Sequence, residues 1–259
     1  LEFNNVSFRY EGSNKDQLSN ISFNIKKGET LAILGSTGSG KSTLVNLIPR
    51  FYDVTEGSIK IGGKDIREID RKSLQDSVGI VMQNTVLFSG SIADNMRMGK
   101  EDATEEEMID ALKKADIADF VLSLPDGLNH KIEQDATNIS GGQRQRISIA
   151  RTLISEPDIL ILDDSLSAVD LITESKIRKA LNKLKMTKII IAQRISSIKD
   201  ANKILMIEDG KMLCYGSHDE LYKTSAEYKR IMQTYNQKQT FFDSRDGYNI
   251  DVKIKTILN

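Results

Sequence analysis

Hydrophobic and polar positions alternate at the start of the chain. Val6, Phe8 and Tyr10, then Ile21, Phe23 and Ile25, stand two residues apart around a polar turn from Glu11 to Asp16. That period gives each of two strands one apolar face. The pattern changes at Leu31 to Leu34, a continuous apolar run of buried-strand length. A glycine-rich segment, Gly35 to Gly40, comes next, and Lys41 to Ile48 reads as a helix ending at Pro49. Residues 57–63 read as a hairpin or edge strand with turn glycines, and Ile80 to Met82 as a further short strand.

From Asp102 to Leu124 the chain is charged, with Met108, Leu112 and Ala115 at helical spacing. Thr104 and Glu107 form a capping-box pattern at the start, and Pro125, Asp126 and Gly127 break the chain. A second amphipathic helix spans about Gln143 to Ser155, stopped before Pro157. Strands and helices then alternate: Ile159 to Leu162, a helix from about Ile172 to Leu184, Lys188 to Ala192, and Ile204 to Ile207. Near-continuous apolar strands alternating with helices predict an α/β fold with a parallel sheet, the helical middle inserted into it. Beyond about Gln237 the chain is polar until Ile250, Val252 and Ile254 alternate with charges, which reads as a strand or a disordered terminus. No internal repeat is visible.

Composition narrows the class. At 259 residues the chain suits one large domain, or a domain with a subdomain. A formal net charge of -1 gives no global attraction to nucleic acid or an anionic membrane. The single cysteine, Cys214, rules out an internal disulfide and fits a reducing compartment. No run approaches the roughly 20 apolar residues that span a bilayer. The opening at Leu1 has strand-like alternation rather than a signal-peptide pattern, and is compatible with a piece of a longer chain.

Gly35-Ser36-Thr37-Gly38-Ser39-Gly40-Lys41-Ser42-Thr43 matches the phosphate-binding loop pattern in full, after an apolar strand and opening a helix. Glycines let backbone N–H groups close around phosphate oxygens at the positive end of that helix. Lys41 is placed to reach the β and γ phosphates, and Ser42 to put its hydroxyl on Mg²⁺. The competing reading, a plain glycine-rich turn, leaves the strand and helix context unexplained. Asp163 closes the run from Ile159 to Leu162, and a carboxylate at a buried strand end can hold Mg²⁺ through water. Alone that is weak, since many strands end in Asp. The segment Ile139-Ser140-Gly141-Gly142-Gln143 places a glycine pair before an amphipathic helix, which presents N–H groups and a hydroxyl to an anion, or merely caps the helix.

Taken in order, these segments resemble the ATP-binding cassette family, and the resemblance covers Leu1 to about Tyr235. It implies a nucleotide-binding domain over residues 1–237 with a P-loop NTPase, RecA-like parallel-sheet core, an N-terminal antiparallel β subdomain and a helical subdomain at about 85–155. Residues 238–259 are then a tail without an assigned role. Ser140, Gly141, Gly142 and Gln143 resemble the family signature, with Ile139 for the usual leucine. Tyr10 resembles the aromatic that stacks on adenine, and Gln83 the glutamine that touches Mg²⁺ and links to the membrane domain. Ser167 and Asp170 resemble the loop that crosses between two subunits. The runs Leu47 to Gly57 and Leu87-Phe88 to Asn95 look most like exporters.

The resemblance implies ATP and Mg²⁺ as cofactors. Its implied partners are a second nucleotide-binding domain, facing head to tail, and the transmembrane domains of an exporter at the cytoplasmic face of the membrane; nucleic acid is not among them. Three departures stand out. Asp164 replaces the glutamate that polarises the attacking water, and Gln193 replaces a histidine; His130 and His218 are the only histidines, and neither follows that strand. Both changes fall on the site built on this chain's own phosphate loop, and imply a subunit that binds ATP and hydrolyses it poorly, paired with a different subunit. The alternative is a homodimer with slow turnover. Gln134-Asp135-Ala136 replaces a Glu-Arg-Gly element that the resemblance associates with the membrane domains. Rival classes are a cassette protein without a membrane role, a nucleotide kinase, and a subunit in which ATP only joins a dimer. Heptad arrays and a second phosphate loop, which would favour the first, are absent, and a kinase has no need of the signature.

Overall fold

The computed structural model describes residues 1–166, 168–191, 198 and 200–233. The chain divides into two compact units, Leu1–Gln75 with Thr187–Asn259, and Asp76–Met186.

In the first unit, strands β1 (Glu2–Phe8) and β2 (Leu18–Asn24) pair antiparallel, and their alternation buries Phe3, Val6, Phe8, Leu18, Ile21 and Phe23. Phe3 and Phe23, directly opposite, stack with ring centroids 4.5 Å apart. Strand β3 (Thr30–Leu34) is buried along its whole length, as the continuous apolar run predicts. Helix α1 (Lys41–Leu47) starts directly after Gly40. Strands β4 (Glu56–Ile61) and β5 (Lys64–Asp65) complete an antiparallel sheet in the order β2-β1-β4-β5, turning at Gly62 and Gly63. Gly57, at φ 80, is required there: a Cβ would overlap the carbonyl oxygens of Asn4 and Asn5 on the neighbouring strand. Helix α2 (Arg71–Ser77) contains the division at Gln75.

The second unit pairs β6 (Val78–Val81) parallel to β9 (Ile159–Asp163), with Val78 opposite Ile159 and Val81 opposite Leu162. Between them in sequence lie β7 (Gly90–Ser91), α3 (Ile92–Arg97), α4 (Glu105–Lys114), α5 (Ala118–Ser123), β8 (Lys131–Ile132) and α6 (Gly141–Leu153). After β9 comes α7 (Leu171–Asn182). Thr104 and Glu107 form the predicted capping box on α4. The charged segment from Asp102 is two helices rather than one continuous pattern. Asp116 takes a left-handed φ of 54 between them, and its backbone N–H closes on the Lys113 carbonyl.

The first unit resumes with β10 (Thr187–Ile191), β11 (Lys203–Glu208) and β12 (Lys211–Gly216). Strands β10 and β11 flank β3, both parallel to it, and β12 lies antiparallel on β11. This is the expected parallel core, with an antiparallel strand added at its edge. Helix α8 (His218–Thr224) and helical residues 226–233 follow. The expected strand-like alternation at Ile250 to Ile254 lies outside the described residues.

Candidate functional site

The phosphate-loop pattern occupies the turn from β3 into α1. Gly38 (φ 83) and Gly40 (φ 103) are left-handed, a conformation that side-chain-bearing residues rarely take. Open space surrounds the missing Cβ of Gly38, whereas one on Gly40 would stand 2.8 Å from the Leu18 side chain. The Lys41 ammonium folds over the loop, donating to the carbonyls of Gly35 (2.9 Å) and Ser36 (2.6 Å) and to Ser39 Oγ (3.4 Å). An ammonium gains more from anionic acceptors than from neutral ones. Ser42 is exposed at the second helical residue.

Tyr10 stands at this loop. Its hydroxyl shares a 3.1 Å hydrogen bond with the hydroxyl of buried Thr43. The ring meets Phe8 and Tyr52 edge-on, at 4.8 and 5.3 Å between centroids. Tyr10 is therefore half-buried beside α1 rather than packed into a sheet core.

In the second unit, Asp163 ends β9 and is 6% exposed; Asp164 follows at φ 48 and is 9% exposed. The left-handed backbone at Asp164 re-aims its carboxylate, which accepts a 3.1 Å hydrogen bond from Gln83 Nε2. Two of the predicted residues, far apart in sequence, are thus in direct contact. The loop carrying Gln83 is held by Gln145 of α6. Gln145 is 3% exposed; its Oε1 accepts from Thr85 Oγ1 at 2.7 Å and its Nε2 donates to the Met82 carbonyl at 3.4 Å. Gln145 carries no mark of this role in the sequence, although it stands two residues after Gln143.

Ser140 caps α6, its hydroxyl accepting from Gln143 N–H while the Gln143 side chain accepts from Ser140 N–H. Gly141 is exposed with nothing near its missing Cβ, and Gly142 is half-buried below the Ala168 carbonyl. The start of this 13-residue helix thus leaves the Gly141 and Gly142 N–H groups and the helix dipole to meet an anion. Asp170 caps α7 by accepting from Thr173 N–H at 3.0 Å, and that backbone bond holds its carboxyl below the usual carboxylate range. Ser167 and Gln193 lie outside the described residues.

Gln134, Asp135 and Ala136 form a short 3-10 turn in which Asp135 (φ 59) and Ala136 (φ 51) are both left-handed. Ala136 stands where the resemblance leads one to expect glycine. Its backbone takes the conformation glycine adopts freely, at a steric cost of about 1 kcal/mol for alanine.

The family model for ABC transporters matches residues 18–167, more than half of the chain and spanning the phosphate loop, Gln83, the Ser140 segment and Asp163-Asp164. This chain belongs to the ABC transporter family. Within the family it is the ABC-type ATPase domain. It is 45% identical, over 238 residues, to the "Putative multidrug export ATP-binding/permease protein YgaD" of Bacillus subtilis (strain 168), covering 91% of this chain and 41% of that protein. It is 47% identical over 234 residues to the "Uncharacterized ABC transporter ATP-binding protein YfiB" of the same strain, covering 90% and 41%. Among solved structures, a bacterial Atm1-family ABC exporter with ATP bound superposes with a TM-score of 0.85 at 37% identity, covering 92% of this chain and 41% of that one. The chain thus spans about two fifths of the length of these relatives. No helix among the described residues is long and apolar enough to cross a membrane.

The donor chemistry fits Mg²⁺ and a nucleotide. Each unit, taken by itself, offers hard oxygen donors: the Ser42 hydroxyl in the first, the Gln83 amide and the Asp163 carboxylate in the second. Mg²⁺ is characteristically held by one or two carboxylates together with phosphate oxygens, and donors of this kind suit it.

Proposed function

We propose that this chain is the ATP-binding and ATP-hydrolysing motor domain of an exporter, paired head to tail with a second nucleotide-binding domain. The phosphate loop carries the reading: left-handed glycines, open space over Gly38 and a lysine folded over the loop. In this reading the loop's N–H groups and Lys41 hold the phosphates, Ser42 and Asp163 hold Mg²⁺, and Tyr10 offers its ring to adenine. Bound Mg²⁺ supplies charge neutralisation at the transferring phosphoryl group.

The open end of α6 supports the pairing. Ser140 and Gly141 are exposed, so the signature presents backbone N–H donors to solvent, where an anion from another chain can meet them. Met82, Val86 and Phe88, on and beside the loop that carries Gln83, are 43%, 60% and 52% exposed, an apolar surface suited to membrane domains. The exporter relatives support the same assignment, and with it a place on the cytoplasmic face of the membrane.

We further assign this chain's own site a slow hydrolysis step and its partner a different subunit. Asp164 is already engaged by Gln83, and it is one methylene shorter than the glutamate it replaces. A homodimer with slow turnover is the second reading, favoured by the nearly standard signature.

Sedimentation of the chain with a second nucleotide-binding domain tests the pairing. MgATP should drive association, and Ser140→Arg, which fills the open helix end, should abolish it. Association that ignores nucleotide, or that survives the arginine, would remove the head-to-tail reading.

A further inference from the structure

The turn from β11 into β12 meets the phosphate loop at three points. The Glu208 carboxylate accepts from both hydrogen donors of Ser36, its hydroxyl and, at 3.3 Å, its backbone N–H. Gly210 N–H donates to the Ser39 carbonyl at 3.0 Å. The Ile207 carbonyl lies where a Cβ of Gly35 would be, so strand and loop backbones touch. From the loop's interior, Lys41 donates to the carbonyl of the same Ser36.

Three glycines in six residues leave such a loop with a large conformational entropy to lose on binding. A contact that orders it beforehand lowers the cost of binding. Hydrogen bonds to a carboxylate are roughly twice as strong as neutral ones, so Glu208 is the strongest of the three restraints. A carboxylate repels phosphate, so its contribution to binding runs through Ser36 rather than through the ligand.

We propose that Glu208 is a positioning residue for nucleotide binding: it holds Ser36 and so keeps the loop's N–H groups and Lys41 converged on the phosphates. This rests on residues 35–43 being the nucleotide site. The glutamate lies 172 residues from the serine it holds.

The test is calorimetric titration of MgADP into the full chain, well below each variant's melting midpoint. Glu208→Ala should raise Kd about 10-fold, the equivalent of about 1.4 kcal/mol. Glu208→Gln should stay within about 3-fold of the parent, because its amide oxygen accepts from Ser36 N–H and its NH2 donates to the hydroxyl oxygen. The double variant Glu208→Ala with Ser36→Ala should bind no more weakly than Glu208→Ala alone, since both act through one pair. If Glu208→Ala does not fold, Glu208→Asp replaces it and should bind more weakly than Glu208→Gln. Unchanged affinity in Glu208→Ala, equal losses in Ala and Gln, or additive losses in the double variant would each overturn the proposal. A parent chain that fails to bind MgADP would instead remove the nucleotide reading itself.

Discussion

Replacing Lys41 with alanine should weaken MgATP binding by about 100-fold. Lys41 is half-buried at the mouth of the loop, and its ammonium has three neutral acceptors within reach. Phosphate oxygens in place of those carbonyl and hydroxyl acceptors put charge on both sides of each bond, and hydrogen bonds to charged groups are each worth about 1.5–3 kcal/mol. Loss of one or two such bonds is about 1.5–6 kcal/mol, and 1.4 kcal/mol is tenfold in affinity. Equilibrium titration with MgATP checks this. An affinity within threefold of the parent would mean that the phosphates lie elsewhere.

The second large effect is a gain. Asp164→Glu combined with Gln193→His should raise single-turnover hydrolysis by about 10²-fold. The physical reason is reach. Asp164 ends one methylene short, its backbone is held at φ 48, and its carboxylate is bound to Gln83. A displacement near 1 Å of a group that orients the attacking water costs on the order of 10²-fold. Glutamine at 193 can accept or donate a hydrogen bond, but it cannot carry the proton or positive charge that histidine can. Rapid-quench measurement of one turnover, with chain in excess over ATP, reads the change. No rise in the double variant would show that geometry at these two positions does not set the rate.

The parts of this molecule that were legible in its sequence are the local ones. The loop from Gly35 to Thr43, the buried run at β3, the α4 capping box and the helix before Pro157 each carry their cause within about ten residues. The predicted helix from Gln143 in fact starts at Gly141, because Ser140 and Gln143 cap each other and draw the two glycines into the first turn. What was not legible depends on distant partners. Gln83 and Asp164 lie 81 residues apart, and nothing in the sequence joins them. Glu208 reads as the polar end of a strand until the fold brings it to Ser36. Strand β12 escaped notice because Met212 and Leu213 are both exposed, so no alternating apolar face marks it. The break at Asp116 was hidden for a different reason: a left-handed aspartate interrupts a helical period without changing its apolar spacing.

Substrate choice in an exporter would lie in membrane helices outside this chain, which spans about 41% of its exporter relatives. The central claim concerns the motor alone. It is tested most directly by single-turnover hydrolysis of MgATP by the purified chain, measured beside its nucleotide affinity. Tight binding with negligible turnover is the predicted result, and means that a catalytic partner supplies the working site. Rapid turnover by this chain alone would contradict it, because Asp164 and Gln193 would then suffice and a homodimer would take its place.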